Sequence, residues 1–312
     1  MGNTVSRAAG YRRKQAIIPY IFILPWIVGF VVFTLGPLLL SLVMSVYDWP
    51  VIGTPHFIGF ENFRHMFTAD EQFWKSLGIT LKFAAIFVPL NIVFALLLAI
   101  LISRPVKGAG FFRSLFYLPS VVSSVAVAII WSWILNYEYG FLNYGLSLFG
   151  IQGPRWLNDP KWALVSIVIS SLWGLGTMML IFYTALKSVP AEIYEDAYIA
   201  GASPLRRFFS ITLPLITPSI LFNLVTCTIS AMQELSLVLL LTKGGPLKST
   251  YFYGLYVYNN AFSHFKLGYA SANAWFMFVI ILALTALIFK SSSAWVFYEN
   301  EVKPDKAKRG SR

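Results

Sequence analysis

The chain has 312 residues, 57% of them hydrophobic and 12% charged, with 24 Lys and Arg against 13 Asp and Glu. A soluble domain carries about 25% charged residues, so the composition excludes an ordinary water-soluble globule. The net charge of +11 does not point to nucleic acid, because no basic stripe interleaves with aromatics on a soluble face; it fits the positive-inside bias of a membrane protein.

In chain order, residues 1–15 form a basic tail carrying Arg7, Arg12, Arg13 and Lys14. The apolar stretch from Ala16 to Val46 outruns the 7–15 residues or so of a cleavable signal core and reads as an anchor that stays in place. At helical rise it would reach about 46 Å, against a hydrocarbon core of about 30 Å. It must tilt, bend or begin along the interface, and Pro19, Pro25 and Pro37 favour bends. Five further spans are expected at 77–103, 114–136, 162–186, 213–241 and 267–289. The expectation is an all-α, polytopic chain with one six-helix domain over 16–290 and a polar, basic tail over 291–312.

Placing the N-terminus inside puts sixteen Lys and Arg on inner segments and eight on outer ones, so both termini are expected in the cytoplasm. Trp49, Trp74, Trp133, Trp156 and Trp162 fall near outer ends, as an aromatic belt would. Cys227 is the only cysteine, which excludes an internal disulfide and a cysteine metal cluster. His56, His65 and His264 are too scattered to suggest a metal site.

The segment over 188–212 is the most informative. Pro190 can occupy the first turn of a short helix, and Gly201 can take the left-handed conformation that ends it. Ser203 can cap the next helix, with Pro204 at its first position. Glu192, Glu195 and Asp196 share one helix face; Ile193, Ala197 and Ala200 share another. The small residues Ala197, Ala200, Gly201 and Ala202 let a partner surface approach closely. On spacing alone, an amphipathic helix lying on the inner membrane surface is the favoured reading.

This segment resembles the EAA loop of binding-protein-dependent ABC importer permeases, whose pattern is close to E-A-A-x-x-x-G-A followed by I-x-L-P. Glu195, Ala197, Gly201, Ala202, Ile211, Leu213 and Pro214 match at that spacing, and Asp196 replaces the first alanine. The resemblance implies a coupling helix seated on an ATPase subunit, with Glu192, Glu195, Asp196, Ala197, Gly201, Ala202 and Arg206 at the contact. Thr242, Gly244, Gly245, Pro246 and Thr250 form a T-x-G-G-P-x-x-x-T run, similar to one in the first permease of the maltose and glycerol-phosphate importers. Phe60-Glu61-Asn62-Phe63, Phe112-Arg113 with Leu118-Pro119, and Leu267-Gly268-Tyr269-Ala270-Ser271-Ala272 resemble the same group. The fold implied is that of a type I ABC importer permease.

The chain carries no G-x-x-x-x-G-K-[ST] loop and no catalytic constellation, so ATP and Mg are expected on partner ATPase subunits. The resemblance implies a bacterial inner-membrane subunit working with a second homologous permease, two ATPases, an extracytoplasmic solute-binding protein and a sugar.

Glu234 is the conspicuous charge inside a span. An ionised group in lipid is expensive, so it should face protein or water. A continuous helix would place it about 10 Å below the outer end of its span. Gln233, Ser236 and Ser230 lie beside it, and Asn91, Trp131 and Trp173 are further pathway candidates on other spans. Hydrogen bonding between helices accounts for Gln233 equally well, whereas Glu234 reads as a pathway residue. The family often has Phe-Asp where this chain has Leu235-Ser236, which makes a particular sugar unsafe to carry over. The rival readings are an ion-coupled secondary transporter, for which only Glu234 offers a carboxylate and no inverted repeat is visible, and a membrane-embedded enzyme, which lacks catalytic residues.

Overall fold

The computed structural model describes residues 20, 22–104 and 107–297. Residues 16–19 and 21 of the expected first span, both basic tails apart from 291–297, and Pro19 lie outside the described residues. The chain divides into two compact units, Met1–Ala69 with Val257–Phe276 and Asp70–Tyr256 with Met277–Arg312.

The first unit contains α1 (Phe22–Met44), whose most apolar stretch has no buried residue. Its helix relaxes into a π-turn at Val31–Leu35, just before Pro37, so the bend expected from that proline is taken up by wider backbone hydrogen bonding. A two-stranded hairpin follows, β1 (Tyr47–Asp48) against β2 (His56–Phe57), then α2 (Glu61–Thr68). The buried Asn62 amide donates to the carbonyls of Ser45 at 2.9 Å and Tyr47 at 3.0 Å, tying α2 to the end of α1. Gly268 has no room for a side chain: a Cβ would collide with the Tyr47 carbonyl oxygen, and its N–H donates to Trp49 O at 3.2 Å.

The second unit is built on α3 (Glu71–Ser103), which starts six residues before the expected 77 because the Asp70 carboxylate caps the Phe73 N–H at 3.1 Å. Its buried face, including Phe73, Phe83, Phe87, Ala95 and Ala99, packs on three later helices. These are α7 (Pro160–Leu172), α8 (Gly176–Ser188) and α12 (Thr217–Met232). The small Ala95 and Ala99 allow close helix approach. Phe83 stacks on Phe87 at 5.1 Å and meets Phe252 at 4.9 Å, and the Tyr253 N–H donates to Thr80 Oγ1 at 2.8 Å.

Two of the expected spans are bent pairs. Residues 114–136 become α4 (Ala109–Val121) and α5 (Ser124–Ile134), turned by 100°. Pro119 and the Ser123 cap account for that break. Residues 162–186 become α7 and α8, turned by 50° across Trp173–Leu175. Here Gly176 brings α8 against the α4 backbone, where a Cβ would sit 2.6 Å from Phe116 O. The fifth span is interrupted too: α12 stops at Met232 and α13 (Ser236–Leu241) resumes after Gln233–Leu235. With α15 (Leu267–Ser292), four helices among the described residues are long and apolar enough to cross a membrane, and six spans result when each bent pair is one.

Between these lie α6 (Phe141–Ser147), α9 (Ala191–Ile199), α10 (Pro204–Arg207), α11 (Leu213–Leu215) and α14 (Tyr253–Phe262). Trp156, expected in an aromatic belt, is instead buried. Its Nε1–H donates to Asn143 Oδ1 at 2.7 Å and it meets Trp162 edge-on at 5.2 Å, folding the 137–161 loop onto itself. Trp74, Trp133 and Trp162 are exposed.

Candidate solute cavity and coupling segment

The three helix breaks of the second unit line one cavity of about 320 Å³. Pro119, Ser120, Val122 and Ser124 come from the α4–α5 break; Ser170, Ser171, Trp173 and Gly174 from α7–α8; Ser230 through Leu237, apart from Ala231 and Met232, from α12–α13. A broken helix leaves backbone polar groups unpaired at membrane depth, which is tolerated where the backbone lines a cavity.

Of the residues expected on a pathway, Glu234, Gln233, Ser236 and Ser230 all line this cavity. The helical depth estimate for Glu234 does not hold, because the chain is non-helical there. Its Oε1 accepts the Leu237 N–H at 3.0 Å and so holds the start of α13. Gly254 on α14 supports the break from behind, its position lying too near Glu234 O for a larger residue. Trp173 forms an aromatic wall, with Trp131 edge-on behind it at 5.8 Å. Trp131 itself is outside the lining, and its buried Nε1–H has no hydrogen-bond partner among the described residues. Asn91 is also outside this cavity and lines an adjoining one.

Six serines, Ser120, Ser124, Ser170, Ser171, Ser230 and Ser236, thus meet a glutamine, a carboxylate and an indole. Ser120, Ser170 and Ser171 donate to carbonyls of their own helices, leaving oxygen lone pairs toward the cavity. Such a surface offers many weak donors and acceptors beside one aromatic face, which suits a neutral polyhydroxylated solute. Sequence reasoning missed Ser120, Ser124, Ser170, Ser171 and Gly174, because serine and glycine are ordinary in membrane helices.

The segment after α8 folds as its local chemistry dictates. Pro190 is the residue just before α9, and Gly201 has φ +77°. The Ala202 N–H reaches Ala197 O and the Gly201 N–H reaches Tyr198 O, both at 2.9 Å, which makes a Schellman motif. Ser203 Oγ accepts the Arg206 N–H at 3.3 Å, and Pro204 opens α10. Glu192, Glu195 and Asp196 are exposed, and among the described residues no basic side chain pairs with them. Ile193 and Ala197 face inward, whereas Ala200, expected on their side, is exposed because the helix is already ending there. Arg206 is exposed, and Arg207 lies over the Tyr198 ring at 5.7 Å. The hydroxyls of Tyr194 and Thr212 are 2.8 Å apart, clasping α9 to the π-turn Phe208–Thr212.

The glycine-rich run after α13 is a clasped turn. The Thr242 and Thr250 hydroxyls pair at 2.7 Å, and Thr250 Oγ1 donates to Gly245 O at 2.6 Å. At Gly244, with φ +83°, a side chain would strike Tyr251. Arg113 Nη1–H donates to the Tyr183 hydroxyl at 2.9 Å, joining α4 to α8.

Residues 91–297 match the family model described as binding-protein-dependent transport system inner membrane component. The probable ABC transporter permease protein YesP of Bacillus subtilis is 43% identical over 93% of this chain and 94% of its own length. The trehalose/maltose transport system permease protein MalF of Thermococcus litoralis is 32% identical over 93% of this chain and 98% of its own. Among solved structures, a bacterial alginate ABC transporter in complex with its alginate pentasaccharide-bound periplasmic protein has a chain of the same fold, at TM-score 0.80 and 24% identity over 89% of this chain and 95% of that one. The match over two thirds of the chain, carried through every broken span and the α9–α10 segment, shows that the protein belongs to the family of binding-protein-dependent transport system inner membrane components, the multi-pass permeases of ABC importers.

Proposed function

We propose that this permease translocates a sugar or oligosaccharide through the cavity at the three helix breaks, coupled to ATPase subunits through the α9–α10 segment. The carrying observation is the composition of that cavity: six serines, Gln233 and Glu234 opposite Trp173. Sugars are held by polar side chains that hydrogen-bond their hydroxyls and by aromatic faces that cover their C–H surfaces. Relatives named for trehalose and maltose and for lactose support the same cargo class.

The coupling role rests on the exposed side of α9. Three carboxylates, unpaired among the described residues, lie beside Tyr198 at 71% and Ile199 at 83% exposure, with Leu205 of α10 at 71%. Charged groups around protruding apolar ones form a docking surface for a basic-rimmed cleft. In this reading two ATPases dock on this side, a second homologous permease completes the pathway, and a solute-binding protein delivers cargo at the other side. Both termini are cytoplasmic, and ATP and Mg are bound by the ATPases. ATP binding draws the coupling segments together, the helices rock as rigid bodies to face outward, and hydrolysis resets them. The chain itself performs no chemistry.

The test is purification of the complex with its binding protein, with ATP hydrolysis followed against a panel of mono- and oligosaccharides. Stimulation by one sugar class and its loss in Trp173→Ala support the reading. Stimulation by amino acids or peptides alone overturns the cargo.

A further inference from the structure

A second cavity of about 320 Å³ adjoins the first, with Ser171, Gly174 and Ser230 lining both. It lies between α3, α8 and α12, and its polar lining is Asn91, Thr177, Asn223, Thr226 and Cys227. Along α12, Asn223 is seven residues from Ser230, about 10 Å nearer to the α9–α10 end of that helix.

Two buried amides stand out there. Asn91 is 8% exposed and Asn223 1%. Asn91 Nδ2–H donates to Cys227 Sγ at 3.4 Å, but Asn91 Oδ1 and Asn223 Nδ2 have no hydrogen-bond partner among the described residues. A buried amide group left unpaired costs about 1–3 kcal/mol, so two bordering one cavity call for a polar partner inside it. One is an acceptor and the other a donor, the pair that a hydroxyl group satisfies. The volume is ten times or so the roughly 30 Å³ share of one water in the liquid, so a solute fits.

We propose that this cavity is a second hydroxyl-binding station on the solute path, with Asn91 and Asn223 receiving the hydroxyls of a sugar ring that leaves the Trp173 cavity past Ser171 and Ser230. The station rests on the sugar-transport reading, but its hydration does not. Leaving the first cavity then exchanges one set of hydrogen bonds for another and lowers the barrier to release.

The only cysteine of the chain reports on it directly, since Cys227 lines the station. In the intact wild-type complex, in inside-out vesicles without nucleotide, a small water-soluble methanethiosulfonate should modify Cys227, as followed by intact mass. Asn91→Leu and Asn223→Leu, each close to isosteric, should leave the permease in the membrane and the ATPase co-purifying with it, yet lower the sugar moved per ATP about tenfold, the effect expected from losing a buried hydrogen-bonded station. A Cys227 that stays unmodified both without nucleotide and with a non-hydrolysable ATP analogue overturns the station, leaving a dry packing gap. So does a reactive Cys227 with wild-type transport per ATP in both leucine variants, which leaves structural water only. If no sugar stimulates hydrolysis by the wild-type complex, the cargo reading and the station fall together, while Cys227 modification still decides whether the cavity is hydrated.

Discussion

Gly254 stands so close to Glu234 that a Cβ on the glycine would lie 2.9 Å from the Glu234 carbonyl oxygen and 3.4 Å from Leu235 Cβ. The glycine lets α14 press against the non-helical Gln233–Leu235 turn and holds it in place. Gly254→Ala therefore forces two backbones apart, with an overpacking penalty of about 1–3 kcal/mol. The expected result is a lower unfolding temperature of the purified complex and a larger fall in sugar uptake than in stability, because the displaced turn carries Gln233 and Glu234. Uptake that falls only in proportion to the amount of folded complex would make Gly254 a packing residue alone.

Glu234 has two separable parts. Its Oε1 holds the Leu237 N–H, and its charge faces a cavity of serines. Glu234→Gln keeps an acceptor for that N–H and removes the charge; Glu234→Leu removes both. The glutamine variant should assemble normally and change the uptake KM or the range of sugars accepted. The leucine variant should also lose stability, by about 1–3 kcal/mol for the orphaned amide. Identical uptake kinetics for wild type and Glu234→Gln would assign the residue to capping.

The turn at Gly201 and the cap at Ser203 were legible in the sequence because both are local: a glycine after a short helix and a Ser-Pro pair have few other uses. The six spans were legible by length and hydropathy. The breaks were not. Gly176 and Gly254 act by admitting a distant backbone, that of Phe116 in one case and Glu234 in the other, and nothing within a few residues announces such a neighbour. Asn62 and Gly268 were visible only as pieces of family-like runs. Their reason is the end of α1, which one bonds through its side chain and the other touches with bare backbone. Glu234 was noticed for its charge, yet its hydrogen bond to Leu237 exists only because the helix is interrupted.

Asn62→Leu removes the two bonds that fix Ser45 O and Tyr47 O and leaves both carbonyls without that donor. A loss of about 1–3 kcal/mol is expected for a buried site of this kind. Thermal unfolding in detergent should begin earlier, and proteolysis in intact vesicles should sharpen between α1 and α2. An unchanged unfolding temperature would mean that other contacts hold this region.

Membrane orientation can be read with cysteine chemistry. Sixteen basic residues against eight predict that 188–212 lies inside and 137–161 outside. In a Cys227→Ser background, Ser203→Cys should resist an impermeant maleimide in whole cells and react after the membrane is opened. Gly150→Cys, at an exposed position after α6 in the 137–161 loop, should react from outside. Labelling of Ser203→Cys in sealed cells would reverse the orientation.

The α9–α10 segment separates charge from geometry. Glu195 is exposed and unpaired among the described residues, so Glu195→Lys changes nothing inside the fold. If the residue meets a basic group in a desolvated ATPase cleft, reversal should weaken docking by about 2–5 kcal/mol, with the loss smaller if the pair lies at a wet rim. Gly201 tests the other half. A side chain there meets nothing within 4 Å, but the residue sits at φ +77°, so Gly201→Val pays only conformational strain in the free subunit, about 1–2 kcal/mol. Gly201→Asn should be tolerated, because asparagine enters the left-handed region more readily. The ordered expectation is that valine uncouples, asparagine does not, and Glu195→Lys weakens docking. Each is checked by co-purification of the ATPase and by ATP hydrolysis with and without sugar-loaded binding protein. Both signals should respond without loss of the permease from the membrane, since α9 and α10 lie outside the spans. Normal docking and normal stimulation in Glu195→Lys and Gly201→Val together would leave this segment as a surface helix and move coupling elsewhere on the chain.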